Sequence, residues 1–148
     1  MSTTNNQFSL NLPEGWSDTT TFTFQGPNDS GVQHNLVIVV DPAVNKDMEV
    51  ATYAKQQIEV SKQALPGFEM INEQEKNIRS DLPAYEIVYK YIPADEVIIF
   101  QKQVFMIIDK KGYTFTSSFS KKTLKTIGNE VDEIIASFVP IKQEEDED

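Results

Sequence analysis

Cysteine is absent from the chain. That excludes disulfides, thiol nucleophiles and cysteine-based zinc sites together. Histidine occurs once, at His34. No second histidine completes a metal set, and a Ser-His-acid triad has only this one base to draw on. The six glycines are scattered. They form neither the Gly-x4-Gly-Lys-Ser/Thr phosphate loop nor the Gly-x-Ser-x-Gly nucleophile elbow. No apolar run reaches the roughly 18 residues needed to cross a bilayer. The opening Met1-Ser2-Thr3-Thr4-Asn5-Asn6 has no basic residue and no apolar core, so it does not read as a secretory signal.

Basic residues are in short supply, 13 against 23 acidic ones, for a net charge of −10. Five of the acids form the closing run Glu144, Glu145, Asp146, Glu147, Asp148. Without them the body still carries 13 basic and 18 acidic groups, a net of −5. An acidic body argues against nucleic-acid binding, which needs clustered Lys and Arg. The expectation is a cytoplasmic protein without cofactor, metal, nucleic-acid partner or stable membrane association.

The 148 residues suffice for one domain with a substantial core. Residues 1–6 read as a disordered start, 7–140 as the domain, and 141–148 as a disordered acidic tail. Residues 7–12 and 19–25 read as strands, 26–31 as a loop, and 33–40 as a third strand. The centre of that third strand, Leu36-Val37-Ile38-Val39-Val40, is apolar on both faces. It is either covered on both sides or offers one face to a ligand.

Then the period changes. Val50, Tyr53, Ala54, Ile58, Ser61 and Leu65 recur at helical spacing over 48–64, with Asp47 as candidate N-cap, Glu49 in the first turn and Pro66-Gly67 as the stop. Residues 68–78 read as an outer strand. A three-strand meander follows over 82–119. Tyr85, Ile87, Tyr89 and Tyr91 share one face of its first strand. Tyr113, Phe115 and Phe119 share one face of its last, opposite Thr114, Thr116 and Ser118. The spacing predicts a final helix after Ser120, with Leu124, Ile127, Val131, Ile134, Ile135 and Phe138 inward and Glu130, Asp132 and Glu133 outward. The fold class is α+β: an antiparallel twisted sheet of about six to seven strands with two main helices, on one side of the sheet or on opposite sides.

Candidate chemistry is thin. His34 reads as a loop or strand-edge residue. Asp95 and Glu96 read as solvated turn residues, and Glu86 as a strand residue facing solvent. Trp16 reads as a plug at one end of the core. The stripe Tyr85, Tyr89, Tyr113, Phe115 reads as core. No constellation for catalysis emerges. What remains is a surface of small and β-branched residues: Thr21 and Thr23, Val37 and Val39, Thr114 and Thr116, with Val88 beside them. Left open, it is a mildly apolar groove for a partner. Covered by a helix, it is core.

The order Leu12-Pro13-Glu14-Gly15-Trp16, Ala64-Leu65-Pro66-Gly67-Phe68, Leu82-Pro83-Ala84-Tyr85-Glu86, Gln103-Val104-Phe105, Gly112-Tyr113-Thr114-Phe115-Thr116 and Ala136-Ser137-Phe138 resembles the DcrB-like family (domain of unknown function 1795). That family has the Mog1/PsbP-like fold, and the likeness spans about residues 7–140. The short form is similar to the Eag-type adaptor chaperones of type VI secretion. The resemblance implies a cytoplasmic homodimer that holds apolar N-terminal segments of a secreted PAAR- or Rhs-type effector and helps load it on the secretion spike. By position it implies client contacts at Thr21, Thr23 and Val37, with Val39 beside them, although aliphatic residues are expected at 21 and 23. The alternatives are a Mog1-like regulator that binds a small GTPase through a charged patch, and a PsbP- or DcrB-like envelope protein.

Overall fold

The computed structural model describes the backbone of residues 2–4 and residues 8–42, 44, 47–79 and 81–141. Six strands form one antiparallel sheet: β3 (Thr21–Asp29), β4 (Val32–Asp41), β5 (Glu69–Ile78), β6 (Leu82–Ala94), β7 (Val97–Ile108) and β8 (Lys111–Phe119). Their order across the sheet is β3-β4-β8-β7-β6-β5. Helix α1 (Val50–Ala64) carries the chain from β4 to the far edge at β5, and α2 (Ile127–Ala136) follows β8. A separate ribbon pairs β1 (Ser2–Thr4) with β2 (Ser9–Asn11). Of the stretch 1–6 read as disordered, only this piece of backbone is described, and the acidic tail from 142 onward lies outside the described residues.

Turn chemistry fixes the hairpins. Ser30 and Gly31 link β3 to β4 with φ of 54° and 78°, and Asp109 and Lys110 link β7 to β8 with φ of 50° and 66°. Paired left-handed residues make the two-residue turns whose twist matches flanking strands. The first hairpin extends strand structure through Gly26, Pro27 and Asn28, which composition assigned to a loop. A bulge between Gln25 and Asn28 absorbs them. At Lys110 the left-handed backbone costs a residue with a Cβ about 1–2 kcal/mol. Lys110→Gly is therefore expected to raise stability by about 0.5–1 kcal/mol, after its own entropic penalty. A urea titration checks this, and an unchanged or lower midpoint refutes it.

The helices lie on opposite faces. Tyr53, Ala54 and Ile58 of α1 pack on Tyr85, Ile87, Tyr89 and Phe105. Ile127, Val131 and Ile135 of α2 pack on Leu36, Ala84, Val104, Met106, Phe115 and Phe119. Burying side chains of this size contributes roughly 1.5–3 kcal/mol each. The reading of Tyr85, Tyr89, Tyr113 and Phe115 as one aromatic stripe is thus corrected: the first two belong under α1, the last two under α2. The cause is a single bulge. At the β6–β7 turn Ala94 pairs with Val97, but beyond one extra residue in β6 Tyr91 pairs with Ile99. That shift aligns Tyr85 with Phe105 and Thr114 instead of Met106 and Tyr113, and a one-residue slip exchanges the faces.

The helix limits also moved. The N-cap of α1 is Glu49, without a side-chain cap bond, not Asp47. Residues 121–126, read as helix, are turns. Ile134 is 53 % exposed rather than inward, and Trp16 is 66 % exposed rather than a core plug.

Candidate functional site: an uncovered trough on the sheet

Directly paired residues of neighbouring strands point to the same side. Two rows can therefore be followed across the sheet. One runs Tyr85, Phe105, Thr114, Val39, Thr21, and the next Ile87, Gln103, Thr116, Val37, Thr23. Each row starts aromatic or aliphatic beneath α1 and ends small. Helix α1 packs on β6 and β7 and reaches β8 through Tyr53, while α2 packs on the opposite face. Val39 is 44 % exposed. Thr21 and Thr23 are exposed, and Val37, Thr114 and Thr116 are half-buried. Six of the seven residues expected in a groove thus lie side by side on one face of β3, β4 and β8.

Val88 is the exception. It pairs with Lys102, and that row continues through Ser117 and Leu36 to Phe24 on the α2 face. Parity within β6 places Val88 with Ala84 and Glu86, away from the trough.

One wall of the trough is Tyr53 of α1. Its hydroxyl is hydrogen-bonded to Thr114, and burial, partly offset by that bond and helped by the Asp41 charge, holds the phenol above its ordinary range. The ring packs edge-on against Phe105, 6.2 Å between centroids. A Cβ added at Gly112 would lie 2.5 Å from it, so glycine is what lets α1 settle against β8. Deeper in the floor, Gln103 donates to Thr116 Oγ1 at 3.1 Å and Gln101 donates to Ser118 Oγ at 2.9 Å. Tyr89 donates to Gln101. The sequence reading missed Tyr53 as a wall, having seen it only as part of a helical stripe. It also missed the two glutamines, whose alternation with apolar neighbours was the available signal. The floor spans two strand spacings, about 10 Å, which matches the diameter of one α-helix with its side chains.

His34 is not at a loop or edge. It lies within β4 and is 2 % exposed. Its Nδ1 is 2.9 Å from the Pro27 carbonyl and its Nε2 2.9 Å from Thr123 Oγ1. A carbonyl only accepts, so Nδ1 carries the proton, and in the neutral ring Nε2 accepts from the threonine. The ring ties the β3–β4 hairpin to the turn before α2. Both ring nitrogens are engaged by structural partners.

Glu86 is likewise corrected from solvent-facing to 6 % exposed. It accepts from Gln74 at 2.8 Å and Lys76 at 3.0 Å, with Lys102 Nζ at 3.9 Å. Lys102 in turn reaches Asp132 of α2 at 2.9 Å, so Asp132 is half-buried rather than outward. Burial alone would raise the Glu86 carboxyl. The hydrogen bonds from Gln74 and Lys76 and the charges of Lys76 and Lys102 outweigh it and hold the group below its usual range. This is a clamp between sheet and helix.

A cleft of about 760 Å³ opens at the N-terminal end of α1, between Met48, Val50, Glu75, Lys76 and Lys110. It shares no residue with the trough, and its walls carry charges of both signs. Among the described residues no group of three His, Asp or Glu could hold a metal. No described helix is long and apolar enough to cross a membrane.

An antiparallel six-stranded sheet with one helix on each face, joined in this order, is the Mog1/PsbP-like architecture. A Pseudomonas aeruginosa protein of unknown function, PA94, superposes with a TM-score of 0.77 at 20 % identity, over 97 % of this chain and 98 % of its own. The solution structure of CyanoP, a cyanobacterial PsbP from Synechocystis, gives 0.58 at 15 % identity over 95 % and 92 %. Mycobacterium tuberculosis LpqN, involved in cell envelope biogenesis, gives 0.53 at 11 % over 80 % and 82 %. No curated protein matches the sequence. The DcrB family matches residues 8–137; the chain belongs to that family.

Proposed function

We propose that this DcrB-family protein is a non-enzymatic adaptor chaperone. It beds an apolar, membrane-segment-like helix from the N-terminal region of a secreted effector in the trough floored by Thr21, Thr23, Val37, Val39, Thr114 and Thr116. The client class is the PAAR- or Rhs-type effector of type VI secretion, held in the cytoplasm until it is seated on the spike. The observation that supports this reading is that β3, β4 and β8 bring six small, uncharged side chains together on one face, one helix wide and beside α1.

The physical logic follows from what such a client needs. An apolar helix awaiting export must be kept from water and from the nearest bilayer. Small side chains let a helix backbone approach closely, as they do where membrane helices pack. Val37 and Val39 lie along the centre line. Thr21 and Thr23 on the outer strand and Thr114 and Thr116 on the inner one give hydroxyl margins that can bond to polar groups of the client. A small-GTPase regulator would instead recognise its partner through charge, and none of the six floor residues is charged.

Co-expression with the N-terminal region of a PAAR-type effector tests the reading. The expected result is a complex that co-purifies without detergent, while the same segment expressed alone partitions to membranes or inclusion bodies. Identical partitioning of the segment with and without this protein overturns the proposal.

A further inference from the structure

The floor of the trough has two unlike ends. Asn35, Val37, Val39 and Asp41 share one side of β4. Asp41 pairs with Gly112 and Gly112 with Ile107, so a carboxylate occupies the place where the two rows before it carry valine. Beyond this row the chain turns inward across the sheet. Val44 donates its backbone N–H to the Lys110 carbonyl at 3.0 Å, and its side chain is buried with Tyr53, Tyr85 and Phe105. Gly112 is buried beneath Tyr53. The other end is different. There Gln25 pairs with Asn35 and Gln101 with Ser118, a set of amides and one hydroxyl without charge. Gln25 and the next residue on that side of β4, Gln33, are exposed. Between Asp41 and Asn35 the floor is about 20 Å long at the rise of a strand, which holds about 13 residues of helix.

We propose that the trough takes its client helix in one direction only, with the helix N-terminus at Asp41 and its C-terminus at Gln25 and Asn35. This direction has meaning only if the trough holds a client helix, as proposed above. Two features give it independently. The first is steric. The bound segment comes from the N-terminal region of an effector, so the bulk of the client follows the helix C-terminus. It needs the end where Gln25 and Gln33 meet solvent, because the end at Asp41 is backed by Val44 and Tyr53. The second is electrostatic. A helix carries partial positive charge on the free N–H groups of its first turn and partial negative charge on the free carbonyls of its last. Asp41 attracts the first and repels the second. Asp109 stands in the turn beside it, with Lys110 as the counter-charge there, while Lys111 alternates to the α2 side. The start of α1 lies near this end too, with Glu49 at its cap position, so its own partial charge is offset. Gln25 and Asn35 carry amide N–H donors that suit the last carbonyls of the client helix. The reversed helix sets its carbonyl end on a carboxylate and drives the body of the effector into Val44.

The chain has no cysteine, so single cysteines report the direction. Thr21→Cys and Gln25→Cys lie on one side of β3, the first one row from Asp41 and the second at the far end. Each full chain is co-expressed with the N-terminal helical segment of a PAAR-type effector that bears one cysteine, either at the start or at the end of the helix. Under mild oxidation the start is expected to cross-link to Thr21→Cys in preference to Gln25→Cys by about fivefold or more, and the end with the opposite preference. Asp41→Asn in the otherwise unchanged chain is expected to weaken the complex about threefold at low salt, the size of a carboxylate contact with a helix N-terminus. Equal or reversed cross-linking yields overturn the direction, and so does an Asp41→Asn chain that binds as well as wild type or better. In both cases the client reading stands. A segment that forms no complex with the cysteine-free wild-type chain overturns both.

Discussion

The double substitution Thr21→Glu with Val37→Glu is expected to abolish client capture and leave the protein folded. Val37 lies in the middle strand of the trough and Thr21 on its outer strand, in adjacent rows, so a helix bedded there covers both. A carboxylate pressed against an apolar helix loses its water and gains no counter-charge, which costs several kilocalories per mole. At about 1.4 kcal/mol per tenfold, two such groups weaken binding by at least 10³. The folded protein is little affected because both positions are open in it: Thr21 is exposed and Val37 half-buried. Strand propensity accounts for up to about 1 kcal/mol per site. Co-purification with the effector segment and thermal melts of the free protein check the two halves. A variant that still captures its client removes the trough from consideration. The converse pair, Thr21→Val with Thr23→Val, replaces the hydroxyls with the aliphatic side chains expected of the Eag-type pattern, and should tighten the complex if the client segment is wholly apolar.

What could be read from residue order, and what could not, divides along one physical line. Alternation within a strand says which side chains share a side of that strand. It placed Thr114 with Thr116, Val37 with Val39 and Thr21 with Thr23 correctly, and helical spacing found Tyr53, Ala54 and Ile58. Alternation does not say how strands align with one another. That depends on turn length and on bulges, and the extra residue near Ile92 and Pro93 leaves no mark in the hydrophobic pattern. The six trough residues were nevertheless grouped together because β3, β4 and β8 pair without a bulge between Thr21 and Gln25 or between Leu36 and Asp41. Val88 was misplaced because its strand lies on the far side of the shift. Glu86 and His34 were misread for a related reason. A lone polar residue on a strand gives no sign of the partners that allow it to be buried, and those partners, Gln74, Lys76 and Lys102 for Glu86 and Thr123 for His34, come from other elements 10 to 89 residues away.

Removing the Glu86 carboxylate is expected to be the most destabilising single polar change in the protein. Glu86→Ala would leave Lys102, whose side chain is 12 % exposed, without one of its two acidic neighbours, and would orphan the Gln74 and Lys76 donors. Breaking a buried pair costs about 3–5 kcal/mol, and the lower end applies because Asp132 still holds Lys102 at 2.9 Å. Glu86→Gln keeps the shape and loses the charge, so it should cost about half as much. The two variants also differ from wild type in acid. The Glu86 carboxyl lies below its ordinary value of 4.5 in the folded state, so the unfolded chain binds its proton first as the pH falls. Its contribution to stability is complete above that ordinary value, declines below it, and is gone once the folded group is protonated too. Chemical denaturation between pH 7 and pH 3 should therefore show the wild-type advantage over Glu86→Gln shrinking toward the acid end. An advantage that stays constant across that range would mean that the clamp between β6, β7 and α2 does not depend on the ionised carboxylate.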